Sequence, residues 1–440
     1  MNNTTLNNPR TINGWCMYDW ANSVYSLVIT SAIFPVYYQA VTTVGGGDKV
    51  RFLGMEVVNS VLYSYALSFS FLIIAPLLPL LSGMADYTGN KKVFMKIFCY
   101  TGGLSCIGLY FFTSATLAWG IFCVVMASIG YSGSLVFYDA FLPEIVTADR
   151  YDKTSARGYS FGYYGSVLMM LVALLFILSP STFGFPDAGA ATRFSFVLVG
   201  LWWIGFAQVA FARLPDNPFR QQPGRQKLLK GYHELVKVWR SLKENRDIKF
   251  YILAYFFYNM GVQTVMYLAA TFGAKELKLP DFKLIATVLL IQVVAAVGAH
   301  FFAQMSHRRG NRAALVVMIG FWVLICVAAY FTTNEYEFYA IALAVGLVMG
   351  GIQSLSRATY SKLIPAGAIQ HASYFSFFDV TFNLSVVVGT FSYGLIEHVT
   401  GSMRNSTLAL ASFFIVGLIL LFQVRAHAIL GHPAKKYQPV

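Results

Sequence analysis

Two aspartates inside apolar segments are the residues best suited to chemistry in this sequence. Asp19 lies near the start of the first such segment, and Asp379 lies near the middle of the next-to-last one. If these segments cross a membrane, a carboxylate at mid-membrane depth costs ~2.5–3.5 kcal/mol on insertion scales and marks a functional site by default. Either carboxyl could bind the amine of a solute or accept a proton. Asp19 could instead stabilise helix packing or pair with a basic group.

Further polar side chains recur at helical spacing around these acids. Asp19, Asn22 and Ser23 are followed by Ser26 and Thr30, and this spacing places all five on one helical face. In hydrocarbon such a stripe needs partners or water. It indicates either a hydrated solute pathway or hydrogen bonds between helices, and the second is common for Ser and Thr. The predicted pathway for a solute and protons comprises Asp19, Asn22, Tyr25, Tyr255, Tyr258, Asn259, Gln263, Gln353, Asp379 and Asn383.

The elements that position these residues must be membrane helices, because the composition excludes a soluble body of this size. Hydrophobic residues make up 57% of the 440 residues and charged residues 12%, about half of the ~25% usual for soluble domains. Mean hydropathy is +0.59. Apolar segments long enough to cross ~30 Å of hydrocarbon recur twelve times. They cover 14–40, 57–82, 93–113, 117–142, 157–179, 193–213, 248–273, 283–305, 312–332, 337–360, 370–397 and 404–427.

The basic residues orient these segments. With both termini in the cytoplasm, 25 of the 32 Lys and Arg residues lie on the cytoplasmic side and the other seven lie outside. Cytoplasmic segments carry such an excess of Lys and Arg. The net charge of +13 is therefore a topology signal, and no nucleic-acid partner is expected. A bacterial inner membrane is the predicted location, and the predicted oligomeric state is a monomer.

A basic segment divides the chain into two sets of six spans. The predicted domains are 1–213, a linker 214–247, and 248–440. Within the linker, an apolar stripe surrounded by Lys and Arg predicts an amphipathic helix on the cytoplasmic leaflet. A target for a partner of calmodulin type is the alternative interpretation. The stripe consists of Leu228, Tyr232, Leu235, Trp239 and Leu242.

Twelve spans in two sixes resemble the plan of the major facilitator superfamily, and loop motifs strengthen the resemblance. The segment Ser82–Lys92 resembles the superfamily pattern G-x-L-A-D-R-x-G-R-K; it keeps Ala85, Asp86, Gly89 and Lys91. A degenerate copy at 305–312 has His307 in place of the acid. Two such copies indicate an internal repeat.

Three further motifs resemble the vacuole-effluxer-like branch of that superfamily. They are Gly14-Trp15 with Tyr18-Asp19-Trp20-Ala21-Asn22-Ser23, the segment 254–264, and 351–357. In the second motif Met260 stands where the branch usually has Asp. The resemblance implies an all-α fold of two pseudo-symmetric six-helix bundles and secondary transport, with amino-acid efflux the role of eukaryotic relatives.

The resemblance also implies a gate on the cytoplasmic side. Asp86 would belong to a charge cluster that closes this side when the protein opens outward. Asp139 and Arg357 could pair across the two halves, or Arg357 could extend toward the membrane surface. Gly158 and Gly162 permit close backbone approach. The predicted gate residues are Asp86, Gly89, Lys91, Asp139, Glu144, Arg157 and Arg357.

These features favour a secondary transporter over other membrane proteins. The sequence has no phosphate-binding G-x-x-x-x-G-K-[ST] motif and no H-E-x-x-H motif, so neither an enzyme nor a cofactor is expected. Few charges inside the spans favour a small neutral or zwitterionic solute, such as an amino acid or short peptide, with proton coupling. The alternatives are an exporter of larger amphipathic compounds and a non-transporting receptor on the same scaffold.

Overall fold

The computed structural model describes residues 6–43, 49–216, 227–365 and 367–425. Within these ranges the chain is almost entirely helical, as the sequence predicts. The helices are α1 (Pro9–Val24), α2 (Ile33–Thr42), α3 (Asn59–Thr88), α4 (Lys91–Gly108), α5 (Leu117–Asp139), α6 (Leu142–Ile145), α7 (Tyr151–Leu178), α8 (Ala188–Arg213), α9 (Lys227–Glu244), α10 (Arg246–Glu276), α11 (Asp281–Arg309), α12 (Asn311–Phe331), α13 (Glu335–Leu363), α14 (His371–Thr400) and α15 (Met403–Phe422).

Eleven segments of the described chain are helical, long and apolar enough to cross a membrane. The first, Pro9–Thr42, joins α1 to α2 through a π-helical stretch, Tyr25–Ala32. Helix α10 has 31 residues and packs along α14 and α15. It supplies the twelfth long helix, so the architecture matches the predicted twelve-helix fold.

Helix pairing repeats between the two halves of the chain. In the first half α1 packs on α7 and α8, and α4 packs on α5 and α8. In the second half α10 packs on α14 and α15, and α12 packs on α13 and α15. The same pairs in the same order are the structural trace of an internal repeat. Across the halves α7 packs on α11 and α13, and α3 packs on α14.

The two ends of the bundle differ. We call the end where α1 begins and α15 ends the terminal face. The opposite end, the hairpin face, carries an antiparallel hairpin of β1 (Lys49–Phe52) and β2 (Met55–Val58). Among the described residues, the hydrogen bonds that join the halves lie toward the terminal face, whereas ion pairs at the hairpin face, such as Arg404 with Glu276, stay within one half.

The motif between the second and third spans is mostly helical rather than a loop. Helix α3 was predicted to end at residue 82, but it continues to Thr88. It ends there because Gly89 adopts φ +70°, a left-handed conformation that glycine tolerates. Asp86 is therefore fixed on the last turn of α3, two residues from its end.

Helix α9 contacts both halves of the protein. Gly231 and Gly83 let α9 approach α3 so closely that a Cβ at Gly83 would overlap the Gly231 carbonyl. Toward the second half, Gln370 Nε2 donates to Glu234 Oε2 at 2.8 Å, and Tyr374 donates to Ser241 at 2.8 Å.

The predicted apolar stripe of α9 is divided by this packing. Leu242 is buried, but Tyr232 and Trp239 are 56% and 47% exposed. The glycine contact turns the Gly231 side of the helix toward α3, and this leaves the two aromatic rings outward. The side chains of residues 227–230 and the linker residues 217–226 lie outside the described part of the chain.

Candidate functional site

A buried arginine holds the two halves together at the centre of the site. Arg357, on α13 in the second half, is 2% exposed. Its Nη1 donates to Asp139 of α5 at 2.8 Å and its Nη2 donates to Asp19 of α1 at 3.3 Å. Its Nε donates to the Ser155 hydroxyl at 2.9 Å. One arginine of the second half therefore pairs with two acids of the first, the buried Asp19 and the half-buried Asp139.

Aromatic rings complete the surroundings of the guanidinium. Its carbon lies 4.6 Å from the ring centre of Trp15, 5.4 Å from Tyr138 and 4.4 Å from Tyr159. Such cation–π contacts contribute more when water is excluded. Tyr138 also donates to Asp19 Oδ2 at 2.7 Å. We call Asp19, Asp139, Arg357 and these three rings the central cluster.

Gly158 of α7 makes room for this cluster. A Cβ there would overlap Asp19 Oδ2 and would lie 3.0 Å from Trp15 and 3.1 Å from Arg357 Nη2. Gly162, one turn later, is similarly filled by Ser23. The spacing noted in the sequence thus lets α7 pass directly over Asp19 of α1.

Replacement of Gly158 by alanine is expected to destabilise the protein by about 1–3 kcal/mol, because the methyl group forces the paired side chains apart. The measurement is the thermal unfolding midpoint in detergent. Gly205→Ala is the matched control, since a Cβ at Gly205 of α8 meets no atom within 4 Å. A Gly158→Ala midpoint equal to that of Gly205→Ala would contradict the expectation.

A second cross-half contact places a carboxylate on the start of a helix. Asp86 accepts hydrogen bonds from the backbone N–H of Ala372 at 3.1 Å and of Ser373 at 2.7 Å, and from the Ser373 hydroxyl at 2.7 Å. These are the first residues of α14, where free N–H groups and the helix dipole favour an anion. Asp86 of the first half therefore caps a helix of the second.

Charged neighbours surround this cap. Lys91 Nζ lies 3.5 Å from Asp86 and also pairs with Glu144. Glu144 Oε1 also forms a hydrogen bond with His371 Nδ1 at 2.9 Å. Three predicted gate residues are thus brought together, and His371, which was not predicted, joins them.

A third contact between the halves lies at the pseudo-symmetric position, but its acid is at the start of a helix rather than at the end of one. Asp152, on the first turn of α7, pairs with Lys362 at 2.8 Å and accepts from Asn311 at 2.8 Å and Ser306 at 2.9 Å. In the first contact the acid ends α3 and meets the start of α14. Here the acid starts α7 and meets residues near the loop copy, in which His307 replaced the acid.

Sequence reasoning missed Asp152, Lys362 and Asn311. A signal was present, because the degenerate copy lacks its acid and an unassigned aspartate stands at the start of the fifth span. In the described chain, Arg157 forms no ion pair; its guanidinium lies 5.4 Å from the ring centre of Phe161. Among the predicted charged gate residues, it is the one that lies in neither the central cluster nor the Asp86 cap.

Asp379 differs from the other acids inside the bundle. It lies eight residues after the start of α14 and is half-buried. Its Oδ2 accepts from Asn383 Nδ2 at 2.8 Å. Among the described residues no basic side chain lies within ion-pair distance of it. It lies within electrostatic range of Asp139 across the halves and of Tyr255 on α10.

The predicted residues of α10 form a chain of hydrogen bonds inside the second half. Gln263 donates to Asn259 at 3.2 Å, and Asn259 donates to Ser385 of α14 at 2.6 Å. Tyr258 bonds with Ser356 at 2.7 Å. Because these side chains are buried and satisfied, packing between α10, α13 and α14 accounts for them in this conformation.

Tyr255 and Gln353 lie nearer the boundary between the halves. Tyr255 stacks on Phe378 with ring centres 4.2 Å apart, beside Asp379 in sequence. Gln353 accepts from Tyr163 of α7 at 2.6 Å, which makes it a cross-half contact. Asn22 and Tyr25, by contrast, are buried within the first half, where Tyr25 packs on Tyr131.

Known proteins resemble the chain along nearly its whole length. The family model described as "Vacuole effluxer Atg22 like" matches residues 7–428. The "Uncharacterized MFS-type transporter YxiO" of Bacillus subtilis is 29% identical over 411 residues, which are 93% of each chain. The "Autophagy-related protein 22-1" of Penicillium rubens is 22% identical and covers 89% of this chain and 79% of its own.

Solved structures share the fold. A major facilitator superfamily transporter, FucP, in the outward conformation superposes with a TM-score of 0.70 at 14% identity over 95% of this chain and 99% of its own. The human organic anion transporter MFSD10 gives 0.70 at 13% identity over 94% and 99%. The chain is thus an integral membrane protein of the vacuole effluxer Atg22-like family, a bacterial-type member of the major facilitator superfamily of transporters.

Proposed function

We propose that the protein is a secondary active transporter that works by alternating access and couples a small neutral or zwitterionic solute, such as an amino acid or short peptide, to protons. The family to which the protein belongs supports its function as a transporter of this superfamily. The solute class, the coupling ion and the mechanism are the proposal.

The contacts between the halves support alternating access. The central cluster, the Asp86 cap and the Asp152 contact all join the halves toward the terminal face. Two bundles that rock about such contacts could expose a central site to one side at a time. The basic residues favour a terminal face on the cytoplasmic side of a bacterial inner membrane. Because the contacts close that side, this conformation faces outward.

Asp379 is the observation that carries the proposal. A carboxyl in a membrane protein interior is retained for function by default. Asp19 and Asp139 share Arg357 and are committed to holding the halves together. Asp379 is half-buried without a basic partner in the described chain. It is therefore the acid available to carry a proton or bind a solute.

Asp379→Asn is expected to abolish solute-dependent proton movement. The protein would be reconstituted in liposomes that contain a pH-sensitive dye and challenged with pooled neutral amino acids and dipeptides. Asp149→Asn is the matched control, since the Asp149 side chain is 66% exposed in a loop and should transport as the unmodified protein does.

Each result of this assay decides one part of the proposal. Solute uptake without proton movement in the unmodified protein would overturn proton coupling. Unchanged proton movement in Asp379→Asn would overturn the role of Asp379. Silence with these pools and flux with amphipathic dyes would favour the alternative of a larger amphipathic substrate.

A further inference from the structure

We infer that the site recognises its solute by an ammonium group alone, without a partner for a carboxylate, and that this ammonium and a proton compete for Asp379, which makes the protein an exchanger. The inference rests on the proposed function and deepens it. It assigns the part of the solute that is bound and the direction of coupling.

The buried arginine of the central cluster is not free to bind a solute carboxylate. Arg357 uses Nε on Ser155, Nη1 on Asp139, and Nη2 on Asp19 and the Ser155 carbonyl at 3.1 Å. Three aromatic rings cover its planar surface. A solute carboxylate would have to displace a buried carboxylate from it, which would leave that acid unpaired at a cost of several kcal/mol.

Among the described residues, Arg157 forms no ion pair, but its guanidinium lies against Phe161 of its own helix and no electrostatic contact links it to Asp379. The remaining described cations are distant or engaged. Lys362 is paired with Asp152 at the terminal face. Toward the other end, the described basic side chains belong to the hairpin face, where Lys283 pairs with Glu335 and Arg404 with Glu276. In the described chain, the depth between these two layers contains the half-buried acid Asp379 and no basic residue that faces it.

Asp379 itself has an open acceptor. Asn383 occupies Oδ2 at 2.8 Å, and Oδ1 has no hydrogen-bond partner among the described residues and is not enclosed. The rings nearby pack on one another: Phe378 stacks on Tyr255 at 4.2 Å and on Tyr360 at 4.6 Å, so neither of its faces is open. An open carboxylate oxygen is a suitable partner for an ammonium group, because the two form a charge-assisted hydrogen bond.

One carboxylate cannot hold a proton and an ammonium ion at the same time. The step is Asp379–COOH + R–NH3⁺ → Asp379–COO⁻···H3N⁺–R + H⁺, in which the O–H bond breaks, its electron pair stays on Asp379, and the proton leaves to solvent. The charged groups within electrostatic range of Asp379 are Asp139 on α5 and Tyr255 on α10. Because binding one ligand expels the other, an inward proton gradient would drive solute outward.

The test uses three matched pools on the purified protein in weakly buffered detergent solution: neutral amino acids, their amides, and their N-acetyl derivatives. The amides keep the ammonium group and lose the carboxylate, whereas the N-acetyl compounds do the reverse. We expect the first two pools to raise the unfolding temperature and to release one proton for each solute bound. The N-acetyl pool should bind at least about tenfold more weakly, a difference of ~1.4 kcal/mol.

Two variants separate the inference from the proposed function. Proton release should vanish in Asp379→Asn and persist in Asp379→Glu, while Asp149→Asn should match the unmodified protein. Binding of the N-acetyl pool, failure of the amides, or binding without proton release would overturn the inference and leave transport of amino acids intact. If none of the pools binds, amino acids are overturned as the solute together with the inference.

Discussion

Replacement of Arg357 by glutamine is expected to abolish transport and to lower stability by about 3–5 kcal/mol, the usual cost of removing one partner from a buried ion pair. The side chains of Asp19 and Asp139 are 7% and 17% exposed, so hydration by bulk water cannot replace the lost ion pair of either carboxylate. The hydrogen bonds from Arg357 to the hydroxyl and carbonyl of Ser155 would also be lost. Thermal unfolding in detergent and solute flux in liposomes are the measurements.

A double variant tests whether charge is the cause. Asp139→Asn introduced into Arg357→Gln removes one of the two unpaired carboxylates, and it should recover part of the lost stability. Arg357→Lys keeps the charge but not the planar group that reaches Ser155, Asp139 and Asp19 together, and it should fall between the two. Arg357→Gln as stable as the unmodified protein would contradict the ion-pair explanation.

Asp86→Asn should open the terminal face. The change removes the negative charge that three hydrogen-bond donors at the start of α14 share, and hydrogen bonds to a charged group contribute about 1.5–3 kcal/mol. The balance between conformations should shift by at least about tenfold, which corresponds to ~1.4 kcal/mol. A cysteine at Ser354 reports the shift, because this residue is fully buried where α13 meets α7.

The assay is labelling of Ser354→Cys by a water-soluble maleimide, in a background with the native cysteines replaced. The five native cysteines are all buried, so their replacement removes slow background reaction. Asp86→Asn should accelerate labelling, and the surface control Asp149→Asn should not. Equal labelling rates in the two variants would show that the Asp86 cap does not hold the terminal face closed.

The sequence predicted the fold well because twelve long apolar segments leave few alternatives in a bilayer. Pairing of Asp139 with Arg357 was an expectation from their common side of the membrane, and the structure places them 2.8 Å apart. The placement of Asp19 with the same arginine could not be predicted from spacing. It depends on the crossing of α1 and α7 at Gly158, a contact between residues distant in sequence.

Other features of the structure were not predicted, because hydropathy contains no information about hydrogen bonds. The polar stripe of the first span assumed α-helical geometry from Asp19 to Thr30. The π-helical stretch starting at Tyr25 changes that geometry after Asn22 and Ser23. The Asp152 contact was missed for a related reason, because motif comparison looks for an acid in the loop and not on the helix opposite to it.

That π-helical stretch also determines the rotational phase of the rest of the first span. A π-helix holds an extra residue per turn relative to the α-helix around it, and one residue corresponds to about 100° of an α-helix. Phe34, Tyr37 and Tyr38 of α2 are buried against Phe112 and its neighbours. Deletions between 25 and 32 that restored α-helical pairing would rotate these rings away from Phe112, while α1 kept its place beside Arg357. The first span therefore has two buried faces, one on α1 and one on α2, and the π-helical stretch sets the rotation between them.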